Sequence, residues 1–270
     1  MTYDHNKKAG NLGDVWKHAV LVSLARRLPA AACFRYAESH SGGPCHRLQQ
    51  PGEWQRGIGK ALEHGDDGEH PYLGMARQYV DELRYPAGWV FFACALAPRV
   101  SKLSVNLCDL SPDVAGQYSS LPADLHPDNV SVEFSQVDGY SHLDGVNADL
   151  VFLDPPFHPD ADADWAAVGK ACLKLRKRGI PFLAWYPFYW PSRPRGLVEA
   201  TSEEAWEVAW AASGEKPSQN LKGCGVLVSS SLVPLLESAQ QEPQKVARRM
   251  NGTGTILVRS PVCNRTNSAL

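Results

Sequence analysis

The sequence predicts an α/β protein built on a Rossmann-like, doubly wound and mainly parallel sheet. Three observations lead there. Strand-like runs alternate with amphipathic stretches along the chain, the pattern of crossover-connected parallel strands. Four of those runs end in an acid, at Glu38, Asp109, Asp138 and Asp154. The last acid opens Asp154-Pro155-Pro156-Phe157, directly after the apolar run Leu-Val-Phe-Leu. A length of 270 residues, 44% of them hydrophobic and 21% charged, fits one large globular domain over 1–270.

The elements follow in order. Residues 14–28 space their apolar side chains as a helix does, with Pro29 beyond the end. Residues 33–38 read as a strand running into Ser41-Gly42-Gly43-Pro44, where glycines permit a tight turn and close backbone approach. Over 47–88 the texture changes to Gly, Pro, His and charge, and the stretch is expected to be an inserted helical subdomain, with a helix at 72–83. A helix is expected at 89–97, strands at 103–109 and 130–138, and a helix at 113–120 between them. Residues 149–154 form a buried strand, 164–178 a helix with a basic last turn, and 180–186 a further strand. Thr201 and Glu204 stand at capping-box spacing and predict a helix start, with late strands at 226–233 and 255–259.

Composition excludes several classes. The seven cysteines are scattered and odd in number, so they read as reduced thiols. The nine histidines show neither HxxxH nor HExxH spacing, and no metal site is expected. No apolar run is long enough for a bilayer, and Met-Thr-Tyr-Asp-His lacks a signal-peptide core. A cytoplasmic monomer with no membrane partner is expected. The formal net charge of −2 means that a nucleic-acid partner needs a local basic face.

In doubly wound sheets ligands bind outside the carboxyl ends of the strands, where the acids fall. The Pro-Pro pair fixes two φ angles and removes two N–H donors. What remains is a stiff corner with a carboxylate at Asp154, bare carbonyls around Pro155, and an aromatic at Phe157 that can stack on a base. Accepting both hydrogens of an exocyclic amine localises its lone pair and aims it at an electrophile, so the corner suits methyl transfer to a nucleobase amine.

At these residues the chain resembles the amino-methyltransferases that use S-adenosylmethionine, and more closely the bacterial large-subunit ribosomal RNA adenine-N6 methyltransferases of the RlmJ type. The opening segment Tyr3-x-His5-x-x-x-x-Ala9-Gly10-Asn11-x-x-Asp14-Val15-x-Lys17-His18 carries the resemblance, together with Asp138-Gly139, Trp185-Tyr186-Pro187 and Gly252-Thr253-Gly254. The resemblance implies an S-adenosylmethionine methyltransferase fold and cofactor contacts at His18, His40, Gly42, Asp109, Asp138, Gly139 and Asp154. It implies catalytic roles for Asp154, Pro155 and Phe157. Tyr3, His5 and Lys17 would meet the entering adenosine, and the substrate would be protein-free 23S ribosomal RNA. Two departures stand out. The first loop reads Glu38-Ser39-His40-Ser41-Gly42-Gly43-Pro44, with Pro44 where the family has glycine, and Trp89 replaces a small cofactor-contacting serine. Pro44 is expected either to stiffen the loop or to push it into the methionine pocket, and Trp89 to crowd that pocket.

Basic residues at Lys7, Lys8, Lys17, Arg26 and Arg27, at Lys174, Arg176, Lys177 and Arg178, at Arg193 and Arg195, and at Lys245, Arg248 and Arg249 are candidates for phosphate contacts. Tyr186, Phe188, Tyr189 and Trp190 are candidates for base stacking. Two other functions fit the same residues: a DNA amino-methyltransferase, and a methyltransferase-fold nucleic-acid-binding protein without turnover.

Overall fold

The computed structural model describes residues 5–63, 70–157, 162–188, 192–201, 203–210 and 222–258. The strands are β1 (Ala31–Ser39), β2 (Cys45–Arg47), β3 (Arg84–Pro86), β4 (Val100–Cys108), β5 (Val130–Ser135), β6 (Leu150–Leu153), β7 (Phe182–Phe188), β8 (Glu204–Trp210), β9 (Gly223–Val228) and β10 (Gly252–Val258). Eight of them form one sheet in the order β10-β8-β9-β7-β6-β1-β4-β5. The run β7-β6-β1-β4-β5 is parallel throughout; β9 lies antiparallel between β7 and β8, and β10 is antiparallel to β8.

From β1 the chain moves outward to β4 and β5, then returns to β6 on the other side of β1. The order therefore reverses between β1 and β6, and the crevice at such a switch point opens at the carboxyl ends. Register sets what lines it. Ser39 of β1 pairs with both Cys108 of β4 and Leu153 of β6, and Cys108 pairs with Ser135 of β5. The next residues, His40, Asp109 and Asp154, thus leave neighbouring strands at one level.

Helix Leu12–Ala25 is buried on nearly every side, from Gly13 and Val15 to Ala25, because it packs against helix Gly88–Leu96 and helix Gln241–Arg249 in the main core. Its start is fixed reciprocally: Asn11 accepts from the Asp14 N–H at 3.0 Å and Asp14 accepts from the Gly10 N–H at 3.0 Å. Such a cap is worth about 1 kcal/mol. Strand β6 is buried at all of Leu150, Val151, Phe152 and Leu153, as a central parallel strand must be.

Between β2 and β3, which pair antiparallel from Cys45↔Pro86 to Arg47↔Arg84, lie helices Ile58–Leu62 and Pro71–Val80. Their apolar side chains, among them Ile58, Tyr72 and Leu73, join the same core cluster as helix Leu12–Ala25.

Two expectations change. Thr201 and Glu204 do not open a helix. Helix Ser192–Thr201 ends at Thr201, whose hydroxyl bonds back to the Leu197 carbonyl at 2.9 Å, and Glu204 begins β8. The run Glu-Ala-Trp-Glu-Val-Ala-Trp is rich in strand formers and pairs on both sides, with β9 and β10, which outweighs a two-residue capping signal. The strand expected over 130–138 stops at Ser135, and Asp138 caps helix Gly139–Gly145 by accepting from the Ser141 N–H at 2.8 Å.

Candidate active site at the carboxyl ends of the strands

The centre of the crevice is a buried ionic cluster. Lys17, on helix Leu12–Ala25, donates to Asp154 Oδ2 at 2.6 Å and to Asp14 Oδ1 at 2.9 Å. Its ammonium also lies 5.3 Å from the Trp185 ring centroid, a cation–π contact from β7. Burial works against the Lys17 charge, but the paired carboxylates outweigh it and raise the ammonium's pKa. Burial likewise opposes ionisation of Asp14, which Lys17 overcomes, holding that carboxyl below its ordinary value. At Asp154 burial prevails over Lys17 and leaves the carboxyl above its ordinary range.

The geometry of Asp154 is directional. One oxygen, Oδ2, is held by Lys17. Among the described residues nothing donates to Oδ1, and no backbone N–H takes the carbonyl of Asp154 or Pro155. The corner therefore presents acceptors without donors. Pro155 is buried and Phe157 half-buried, its ring 4.8 Å from that of Trp165 and 5.9 Å from that of Trp185. Aromatic walls hold the corner from the side of helix Asp162–Lys177 and of β7.

The loop after β1 forms the second wall. His40 adopts φ 63°, a conformation costly for a residue with a side chain, and Gly42 adopts φ 60°. A β-carbon added at Gly42 would meet nothing within 4 Å, so space lies open beside the loop. The Gly42 N–H donates to Asp109 Oδ2 at 3.1 Å, and the Ser111 N–H donates to Oδ1 at 2.9 Å. Asp109 thus ties the loop after β1 to the loop after β4. The His40 ring sits 4.8 Å from the Tyr140 ring and over Gly139, where an added β-carbon would lie 2.7 Å from His40 Cε1. The Asp138-Gly139 pair is explained by this contact: the acid caps the helix and the glycine makes room for the imidazole. Burial depresses the His40 pKa against the opposing pull of Asp109, Asp154 and Asp138.

His18 lies deeper. It is 3% exposed, its Nδ1 is bonded to the Tyr85 hydroxyl at 3.0 Å, and that hydroxyl meets Tyr72 at 2.6 Å. Burial lowers its pKa to about 3, keeping it neutral, with Nε2 turned toward Gly88. Tyr3 lies outside the described residues, and His5 is described only as backbone in helix His5–Lys8.

Several expectations are corrected. Trp89 is fully buried, and its indole N–H donates to the Tyr118 hydroxyl at 2.9 Å. Pro44 is buried at the neck of the insertion, its carbonyl accepting the Ala87 N–H at 3.1 Å. Tyr186 is no stacking platform, being fully buried with its hydroxyl on Glu207 Oε1 at 2.7 Å. Phe188 side chain, Tyr189, Trp190 and the side chains of Arg193 and Arg195 lie outside what is described. The basic turn near residue 178 serves the fold: Lys174 pairs with Asp144, Arg176 donates to the Thr201 carbonyl, and Arg178 donates to the carbonyls of Leu143 and Val146.

Sequence reasoning missed three features. Asp14 belongs to the cluster, although the opening motif contained it. Leu110 and Val137, 63% and 39% exposed, flank Asp109 and Asp138 as an apolar rim; a large apolar residue beside a strand-end acid was the available signal. Trp165 supports the corner from the following helix.

A switch-point crevice with acceptors at Asp154, carboxylates at Asp109 and Asp138 and an open left-handed loop defines an S-adenosylmethionine-dependent methyltransferase. These residues fit the cofactor by chemistry: carboxylates for ribose hydroxyls and amines, an apolar rim for a purine, and space beside Gly42. No protein-family profile matches the chain. It is 30% identical over 206 residues to the ribosomal RNA large subunit methyltransferase J of Haemophilus influenzae, covering 69% of this chain and 70% of the relative. The Escherichia coli protein of the same name is 25% identical over 205 residues, with the same coverage of 69% and 70%. A solved Legionella pneumophila structure matches with TM-score 0.68 at 20% identity, over 93% of this chain and 97% of that one, and so shares the fold. The chain belongs to the ribosomal RNA large subunit methyltransferase J family.

Proposed function

We propose that this chain, an S-adenosylmethionine-dependent ribosomal RNA methyltransferase by family, methylates N6 of an adenine in 23S ribosomal RNA. One observation carries the choice of an exocyclic amine: Lys17 occupies one oxygen of Asp154, while the other oxygen and the neighbouring carbonyls have no donor among the described residues. A primary amine has two hydrogens to give to such a corner. Its lone pair is then localised and aimed, a gain of orientation and electrostatics. Asp154 accepts one hydrogen, the Pro155 region the second, and Phe157 stacks the base. Lys17 holds the carboxylate in place. The family resemblance gives Tyr3 and His5 to the entering adenosine.

The cofactor supplies an electrophilic methyl group. His18, His40, Gly42, Asp109, Asp138 and Gly139 would hold it, and Asp154 would accept from the amine that receives the methyl. A base inside a duplex cannot reach such a corner, so the target is taken extruded or single-stranded. No metal and no covalent enzyme intermediate takes part in this scheme, and the protein works as a monomer in the cytoplasm.

The test is nucleoside analysis. Protein-free 23S ribosomal RNA, assembled large subunits and duplex DNA are incubated with enzyme and labelled cofactor, then digested and separated. The expected product is N6-methyladenosine from protein-free RNA. Label in DNA would redirect the assignment to a DNA enzyme, and label in a cytosine of the RNA would overturn the adenine target.

A further inference from the structure

We infer that Glu38 stores a proton in the free enzyme and releases it to solvent when the cationic methyl donor binds, so that cofactor binding and proton release are one event. The inference rests on the charge count of the cluster and on the cofactor reading above. Glu38 is 2% exposed, at the carboxyl end of β1, and its one hydrogen-bond donor among the described residues is the Tyr36 hydroxyl at 3.1 Å. The groups that act on it come from every neighbouring element. They are Tyr36 on β1, Asp154 after β6, Lys17 on helix Leu12–Ala25, Cys108 on β4 and Tyr118 on helix Pro112–Tyr118. Only Lys17 is cationic, and its ammonium is already engaged by Asp14 and Asp154.

Lys17 thus pairs with Asp14 and Asp154, and Glu38, the third carboxyl of the cluster, has no ion pair among the described residues. A buried carboxylate without its own counter-charge keeps its proton. Burial first, and then Asp154, push the Glu38 carboxyl up to about 8, so it is largely neutral at pH 7. The sign of the linkage follows. Its contribution to stability is complete below the ordinary carboxyl range and is lost as pH rises toward 8. A sulfonium brings a fixed positive charge to this crevice, supplies the missing counter-charge and drives Glu38 to its ionised form.

Calorimetry of S-adenosylmethionine binding to the full chain at pH 7, in buffers of different ionisation enthalpy, counts the protons. The expected result is release of about one proton per cofactor. The demethylated product S-adenosylhomocysteine, which lacks the sulfonium charge, should release a smaller fraction. Glu38→Gln should bind the cofactor with no release. Buffer-independent heat in the unmodified protein, or release retained in Glu38→Gln, overturns proton storage while leaving the cofactor reading intact. Absence of any binding heat overturns both. Should circular dichroism show Glu38→Gln unfolded, Tyr36→Phe provides the second arm. Losing the hydroxyl donor should extend proton release to higher pH, and an unmoved upper limit overturns the proposal.

Discussion

The two edges of the central sheet use charge differently. At the carboxyl edge, buried Lys17 and Glu38 and half-buried Asp14 and Asp154 cluster together, and one oxygen of Asp154 is left without a donor among the described residues. At the amino edge, Arg35 closes on Asp149 at 2.6 Å, Lys174 on Asp144 at 2.6 Å, and Arg178 on the carbonyls of Leu143 and Val146. There the side-chain groups are satisfied and largely solvated, and each ties two elements together. The first edge concentrates unsatisfied acceptors around a crevice; the second fastens the fold. A basic run in sequence can belong to either, and only the partners distinguish them.

The largest effect should come from Lys17→Ala, which leaves buried carboxylates without their cation. Chemical denaturation should show a loss of about 3–5 kcal/mol. Methyl transfer should fall at least about 100-fold. A loss below about 1 kcal/mol would place the cluster with ordinary surface pairs. Gly139→Ala should come next, since the new β-carbon meets His40 Cε1 at 2.7 Å. The imidazole must move, at about 1–3 kcal/mol, with cofactor affinity about tenfold weaker by calorimetry.

Arg178→Met sharpens the contrast between the edges. It removes two donors to carbonyls and should lower stability by about 1–2 kcal/mol. The salt dependence of RNA binding should be unchanged; a slope reduced by about one would assign Arg178 a phosphate instead. The smallest effect is expected for Trp89→Phe, which loses the bond to Tyr118 at a cost of about 1 kcal/mol while cofactor affinity stays within about twofold. A clear gain in affinity would restore the idea that Trp89 crowds the crevice.

Much of this was legible in the sequence. Alternating runs gave the parallel half of the sheet, and strand-end acids gave the crevice, because period and termination are local properties of the chain. Asp138 was read at the right place but for a different immediate reason, as it caps a helix by bonding to Ser141. What was illegible depends on packing. Thr201 and Glu204 fit a capping box, yet the pairing of β8 with β9 and β10 decides their state. Tyr186 and Trp89 sit in motifs that suggest contact with ligand, and both prove to be buried with internal partners, Glu207 and Tyr118. The pairing of Lys17 with Asp154 spans 137 residues of chain, and no local pattern encodes it.

The central claim is that the corner at Asp154, held through Lys17, is where an amine meets the methyl donor. Single-turnover transfer from S-adenosylmethionine to protein-free large-subunit ribosomal RNA, compared between the unmodified protein and Asp154→Asn, tests it most directly when cofactor binding is measured alongside. The account predicts binding within about tenfold and transfer slowed by about 100-fold or more. Transfer within severalfold of the unmodified rate would contradict it.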